Sequence, residues 1–306
     1  MSIAALIKGR RGASGFGFAS TAEEVTAGLD LHGKTILITG VNAGLGRESA
    51  RVLSARGARI LGSARSLDKA TAACRELGAT AVPLACELSE PASVRACVAE
   101  VQRQQIQLDA LICNAGVMAL PQREVRHGQE LQFLTNHIGH FILVTGLLSQ
   151  LAPAGRVVML SSGAHNAAPK AGIQFDDISL QGNYSPWRAY GQSKLANLLF
   201  ARALARRLAG SARTANALHP GVIATELTRH MHPVAQAVYP LLTAIAFKDI
   251  PQGAATQCYV AVHPAVAAIS GEYFADCNIA RSSSAGRDQA QAERLWTYTE
   301  EVVAGL

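Results

Sequence analysis

The chain has 306 residues, 49% of them hydrophobic and 16% charged, with a formal net charge of +6. That apolar share excludes an intrinsically disordered protein and can fill one large core. The Lys and Arg excess forms no basic block or aromatic-interleaved stripe, so no nucleic-acid face is expected. Six cysteines without CxxC or disulfide-like spacing point to a reducing compartment.

At the start, Ile3 to Ile7 is followed by Lys8, Arg10 and Arg11, which puts the charges on the wrong side of too short an apolar run for a secretory signal. No stretch approaches the roughly 20 apolar residues of a membrane span. Residues 1–33, with Gly12, Gly15, Gly17 and the helix-start pattern Ser20-Thr21-Ala22-Glu23-Glu24, are expected to form an N-terminal arm on a single domain of residues 34–306. From there apolar runs alternate with helical patterns. Strands are predicted at Thr35–Thr39, Arg59–Ser63, Ala81–Ala85, Ala110–Cys113, Arg156–Ser161, Thr214–Leu218 and Glu272–Phe274, and helices near 44–56, 67–77, 92–104, 129–151, 187–208 and 253–262. Repeated βα units imply an α/β, Rossmann-type doubly wound parallel sheet of about seven strands in the order 3-2-1-4-5-6-7. Helices would cover both faces, and the ligand crevice would open at the carboxyl ends of the strands.

The first strand runs into Thr39-Gly40-Val41-Asn42-Ala43-Gly44-Leu45-Gly46 and then a helical pattern. Glycines let a backbone turn sharply and approach a pyrophosphate, whose charge is met by the helix N-terminus. The spacing has one residue more between the first two glycines than GxGxxG. An enzyme for the non-phosphorylated cofactor places Asp or Glu at the end of the second strand; here Ala64 and Arg65 stand there, and a guanidinium can fork onto a 2′-phosphate. NADP(H) is therefore expected, with NAD(H) as the alternative.

Tyr190-Gly191-Gln192-Ser193-Lys194 puts a phenol and an ammonium on one helix face, since positions i and i+4 are neighbours. A phenol titrates near 10, so bringing it toward neutrality takes roughly 4 kcal/mol of phenolate stabilisation, which a cation one turn away can supply in part. The pair suits proton transfer at a carbonyl.

Taken together, TGxxxGxG, YxxxK, Asn114-Ala115-Gly116, Asn136-His137-Ile138-Gly139-His140-Phe141, Ser161-Ser162 and His219-Pro220-Gly221 with Thr225 resemble the short-chain dehydrogenase/reductases, in their retinol dehydrogenase-like and WW-domain-oxidoreductase-like branch. The resemblance runs from about Gly15 to the C-terminus. Two departures are Cys113 in place of the first Asn of NNAG, and Glu87 where the residue capping the adenine is usually Asp. The resemblance implies Asn136, Ser162, Tyr190 and Lys194 as catalytic residues. Tyr190 would be general acid in reduction and base in oxidation. Lys194 would lower its pKa and hold the nicotinamide ribose, Ser162 would bond the substrate oxygen, and Asn136 would hold a water relaying protons to Lys194. For the cofactor it implies Gly40, Asn42, Gly44, Leu45, Gly46, Arg65, Glu87, Leu88, Asn114, Ala115, Gly116, Tyr190, Lys194, Pro220, Gly221, Ile223 and Thr225.

His137 and His140 lack a neighbouring carboxylate or third ligand, so no metal is expected, and Cys113, ending a central strand, reads as an inert buried thiol. The substrate walls are expected at residues 163–189 and 226–250; the run Ala235 to Phe247 in the latter reads either as a helix packed on the core or a subunit interface, or, being scarce in charge, as the wall of a pocket for an apolar ketone or aldehyde. The expected activity is NADP(H)-dependent interconversion of a lipophilic carbonyl and its alcohol. An NAD-dependent alcohol dehydrogenase and a low-turnover dinucleotide-binding sensor or scaffold are the alternatives. Membrane-bound retinol dehydrogenases carry an N-terminal anchor that the chain does not show, so a cytoplasmic enzyme is expected, and the resemblance implies a homo-oligomer, dimer or tetramer.

Overall fold

Alternation of apolar side chains along the strands builds two cores, one on each face of a single sheet. Leu37, Leu61, Leu111, Val157 and Met159 point to one face, while Ile36, Ile38, Ile60, Ile112 and Val158 point to the other. The computed structural model describes residues 9–223 and 247–306. Its main strands are β1 (Thr35–Thr39), β2 (Arg59–Ala64), β3 (Val82–Ala85), β4 (Leu108–Cys113), β5 (Leu151–Leu160), β6 (Thr214–His219), β7 (Tyr273–Ala275) and β8 (Asn278–Ile279). They form one sheet in the order β3-β2-β1-β4-β5-β6-β7-β8, parallel from β3 to β7. The seven-strand order read from the sequence is present, and the added β8 pairs antiparallel with β7.

The helices are α1 (Gly44–Ala55), α2 (Leu67–Arg75), α3 (Pro91–Arg103), α4 (131–146), α5 (Pro186–Arg207), α6 (Ile250–Val262) and α7 (Gln289–Ala304). Helix α4 is interrupted by a π segment, Leu134–Ile138, centred on Asn136. One face of the sheet carries α3, α4, α5 and α7, and the other carries α1 and α6.

The expected helix 129–151 is shorter at both ends. Gln129–Glu130 pairs with Val125–Arg126 in a small hairpin, with Glu130 capping α4 through the Phe133 amide. At the other end, β5 begins at Leu151, opposite Leu108, and slips register before Arg156, so Pro153 and Gly155 sit in an irregular stretch of strand ahead of the expected start at Arg156. Helix α6 starts three residues early because Asp249 and Gln252 form a capping box. Helix α7 was not anticipated. Asp288 caps it, and Leu295 and Trp296 bury its inner face, with Trp296 stacked on Phe200.

The segment before β1 packs on the sheet. A short helix, Ala22–Val25, carries a Thr21/Glu24 capping box, Phe16 sits edge-on to Tyr259, and Asn278 bonds the Ser14 amide and the Phe16 carbonyl.

Candidate active site

All the sequence motifs that lie within the described residues come to the carboxyl edge of the sheet, where a cleft of about 800 Å³ opens. Of the expected cofactor residues, Gly40, Asn42, Gly44, Leu45, Arg65, Glu87, Leu88, Asn114, Ala115 and Gly116 line it. Gly46 lies behind them: a Cβ there would press into the Gly40 carbonyl and the Asn114 amide, so only glycine lets α1 come this close to the β1 turn. Gly40 and Gly44 both have positive φ. Ala43, the α1 N-cap, supplies no side-chain cap, leaving the first amides of the helix for an anion. These residues fit a pyrophosphate.

A web of bonds around Thr39 fixes the cleft floor. Its hydroxyl accepts from the Asn114 and Ala115 amides at 2.9 Å each, and the Asn114 side chain donates to the Thr39 carbonyl at 2.8 Å. The same hydroxyl lies 3.0 Å from His140 Nε2, and His140 Nδ1 lies 2.9 Å from the Asn136 carbonyl. A carbonyl can only accept, so Nδ1 carries the hydrogen. Burial lowers the His140 pKa to about 4, so Nε2 is bare and accepts from Thr39. His140 thus ties the end of β1 to α4, and Thr39 carries the link on to the turn after β4.

Asn136 is wholly buried in the π segment. Its side chain exchanges two bonds with the Val117 backbone and donates to Ser193 Oγ. π segments of this kind recur at functional sites. A Cβ on Gly116 would stand 2.8 Å from Asn136 Oδ1 and 3.5 Å from Lys194 Nζ, so Gly116, Asn136 and Lys194 converge. Lys194 Nζ donates to the Leu160 carbonyl at 3.0 Å and lies 5.7 Å from the centre of the Tyr190 ring. Tyr190 and Lys194 are 8% and 3% exposed, a burial in which charge interactions are weakly screened.

The serine pair divides as strand alternation predicts. Ser161 is buried and donates to the Lys194 carbonyl, whereas Ser162 is partly exposed and its Oγ accepts from the Ala164 amide. Two further neutral imidazoles hold this loop. His219 Nδ1 accepts from the Gly163 amide, its pKa lowered to about 4 by burial and then by Lys248. His165 lies with Nδ1 2.6 Å from the Ser162 carbonyl and accepts from the Ser283 amide at Nε2, with burial lowering its pKa.

Gly221 turns at φ 97°, and a Cβ there would meet Lys248 Cδ at 2.6 Å. Lys248 is enclosed and pairs with Asp276 at 2.6 Å, and its amide donates to the Val222 carbonyl. Pro220 and Ile223 are buried beside this turn, while Thr225 and most of the expected wall 226–250 lie outside the described residues. Glu87 folds onto Ser89, accepting from its amide and hydroxyl. Arg65 is exposed and forms no ion pair among the described residues. Arg126, on the small hairpin, also lines the cleft while bonding Ser89 and Glu90, and no local sequence signal marks it.

His137 is enclosed by Phe133, Phe141 and Phe200, with Nε2 on Thr299, and burial lowers its pKa to about 3. Cys113 is fully buried and its thiol pKa is pushed up by desolvation.

The short chain dehydrogenase family model matches residues 34–174. Short-chain dehydrogenase TIC 32 A, chloroplastic, of Brassica napus is 42% identical over 321 residues, covering 100% of both chains. The chain belongs to the short-chain dehydrogenase family. Within it the retinol dehydrogenase-like branch is the match: human retinol dehydrogenase 14 is 38% identical over 300 residues, covering 90% of this chain and 88% of that one. Among solved structures, the angucycline C-6 ketoreductase LanV with bound NADP superposes with a TM-score of 0.64 at 26% identity, covering 80% of this chain and 94% of that one. As a short-chain dehydrogenase, the protein is a dinucleotide-dependent oxidoreductase.

Proposed function

We propose that this short-chain dehydrogenase uses NADP(H) to interconvert a lipophilic ketone or aldehyde and its alcohol, with Tyr190 as general acid and base. The observation that carries the reading is the convergence of Lys194, Asn136 and Gly116 where the dinucleotide cleft meets the Tyr190 helix. The bound nicotinamide would supply or accept the hydride. In reduction the Tyr190 hydroxyl gives its proton to the carbonyl oxygen, while Ser162 Oγ, partly exposed just past the end of β5, donates to the same oxygen. Lys194 stabilises the phenolate and reaches the nicotinamide ribose, and Asn136 holds the water that returns a proton toward Lys194. The buried Tyr190 and Lys194 suit this, because few waters compete for the proton.

Two observations support NADP(H): Arg65 has no charged partner in the described residues, and a ketoreductase of the same fold holds NADP. NADPH and NADH oxidation against retinal, long-chain aldehydes and steroid ketones tests the reading. NADPH should be preferred, Tyr190→Phe should cost about 10²-fold or more in turnover while NADPH still binds, and Arg65→Ala should raise the KM for NADPH more than for NADH. Equal turnover by Tyr190→Phe, or a preference for NADH, would sink it. We also infer a cytoplasmic homo-oligomer, dimer or tetramer. Among the described residues no helix is long and apolar enough to cross a membrane. Since one relative is named as chloroplastic, cell fractionation checks the compartment, and light scattering checks the assembly.

A further inference from the structure

A second cavity, of about 580 Å³, lies between the loop that follows Ser162 and the start of α5, and shares no lining residue with the dinucleotide cleft. Tyr190 does not line it, but both of its walls touch the turn of α5 that carries Tyr190. On one wall Trp187, 47% exposed, sets its indole edge-to-face with the Tyr190 ring at 6.1 Å. On the other, the 164–168 backbone packs against the residue after Tyr190: a Cβ on Gly191 would meet the Ala164 carbonyl at 2.6 Å and the Ala168 amide at 2.7 Å.

The polar lining is cationic. Lys170 and Arg188 face the cavity with Gln174 and Ser185, and no carboxylate lines it. The nearest acids in sequence are engaged elsewhere, Asp177 by the Gln181 and Gly182 amides and Asp176 with Arg294. Neither the Lys170 nor the Arg188 side chain has a hydrogen bond or ion pair among the described residues, and Arg188 Nε is buried without a partner. Arg156 and Arg213, also partly buried, each donate to two backbone carbonyls. A partly desolvated guanidinium left unmatched is costly unless an anion completes it.

We propose that this cavity is the substrate's distal site and that the substrate is an aromatic carbonyl compound bearing a carboxylate. Its flat body lies on Trp187, its carbonyl reaches Tyr190, and its carboxylate bridges Arg188 and Lys170. The inference rests on the carbonyl-reductase reading above and adds the charge of the substrate to it. The carboxylate takes no part in the hydride and proton transfer; it positions the ring, and guanidinium suits it because of the bidentate fork.

A matched pair of probes, 4-benzoylbenzoate and its methyl ester, tests this with NADPH. The acid should exceed the ester in kcat/KM by about tenfold or more, an advantage carried mostly by KM and shrinking with added salt. Arg188→Gln and the exposed Lys170→Gln should each move the acid-to-ester ratio toward one, and Lys170→Glu should invert it. A binding readout does not depend on turnover: the acid should quench Trp187 fluorescence, and Lys170→Glu should weaken the quench. An ester turned over as well as the acid, or a ratio indifferent to both positions, overturns the inference and leaves the reductase reading standing. Quenching by the acid without turnover of either probe leaves the anion site standing and counts against the reductase reading. Neither quenching nor turnover of the acid, with NADPH bound, overturns the inference.

Discussion

Thr39→Val removes one hydroxyl while keeping the shape of the side chain, and three groups lose a bond together. The Ala115 amide loses its acceptor at 2.9 Å, the Asn114 amide keeps only the Ile112 carbonyl at 3.0 Å, and His140 Nε2 loses its donor at 3.0 Å. His140 is fully buried, so its bare nitrogen bears the desolvation penalty of an unsatisfied group, about 1–3 kcal/mol. The two amides are only half-buried, water can reach them, and they should add about 1 kcal/mol between them. The expected loss is therefore about 2–4 kcal/mol, read as a lower urea midpoint at unchanged m-value. Because Asn114 and Ala115 line the cleft, the KM for the dinucleotide should rise as well, whereas Thr39→Ser should recover most of both effects. A loss below about 0.5 kcal/mol for the valine variant, or a serine variant no better than valine, would refute the reasoning.

Gly46→Ala should abolish dinucleotide binding with the fold retained, because the new methyl presses on backbone rather than on a flexible side chain; circular dichroism beside NADPH titration checks it. Asp276→Ala leaves the enclosed Lys248 ammonium unpaired and should cost about 3 kcal/mol in denaturant unfolding, more than Lys248→Met, which removes the charge and leaves a 42% exposed carboxylate that water can solvate. Three histidines have folded pKa values lowered from 6.5 to about 3, 4 and 4, so below pH 6.5 the unfolded chain binds more protons. Their stabilising contribution is complete above pH 6.5 and is lost as pH falls toward 4, by about 1.4 kcal/mol per pH unit for each; a flat unfolding free energy between pH 7 and 5.5 would contradict this.

The seven parallel strands were legible because each is a short apolar run bounded by turn residues, and their order followed from right-handed crossovers. What escaped was held by features of another kind. β5 begins at Leu151, before the expected Arg156, because the sheet accommodates Pro153 and Gly155 through a register slip against β4. Helix α7 carries its signal in Ala292, Leu295, Trp296 and Thr299, spaced at three and four on one buried face but set among polar neighbours. At the site, residues inside local motifs were legible and contacts across the chain were not. Thr39 and His140 are 101 positions apart, so their bond belongs to the folded topology. Arg126 reaches the cleft because a two-residue hairpin turns it there, and Lys170 and Arg188 come to line one cavity through the packing of the 164–168 backbone on Gly191.

The same device recurs at successive strand ends. His140 joins the end of β1 to Asn136, His219 joins the end of β6 to the loop after β5, and His165 joins that loop to the segment before α7. Each is a buried imidazole that meets one carbonyl or amide with one nitrogen, and two of them answer a second partner with the other. A hydroxyl or an amide side chain of similar size could satisfy one such partner, but only a neutral imidazole offers a donor and an acceptor on opposite sides of a rigid ring. Rigidity matters because hydride and proton must arrive at one carbonyl together, and a misplacement of about 1 Å can cost about 10²-fold in rate. The braces work only while they stay uncharged, so the burial that lowers their pKa values is what fixes the positions of Asn136 and Ser162. A protonated His140 would face Thr39 with a third donor, leave the hydroxyl's own hydrogen without an acceptor and loosen the turn after β4. Acid should therefore raise the KM for the dinucleotide before it unfolds the chain.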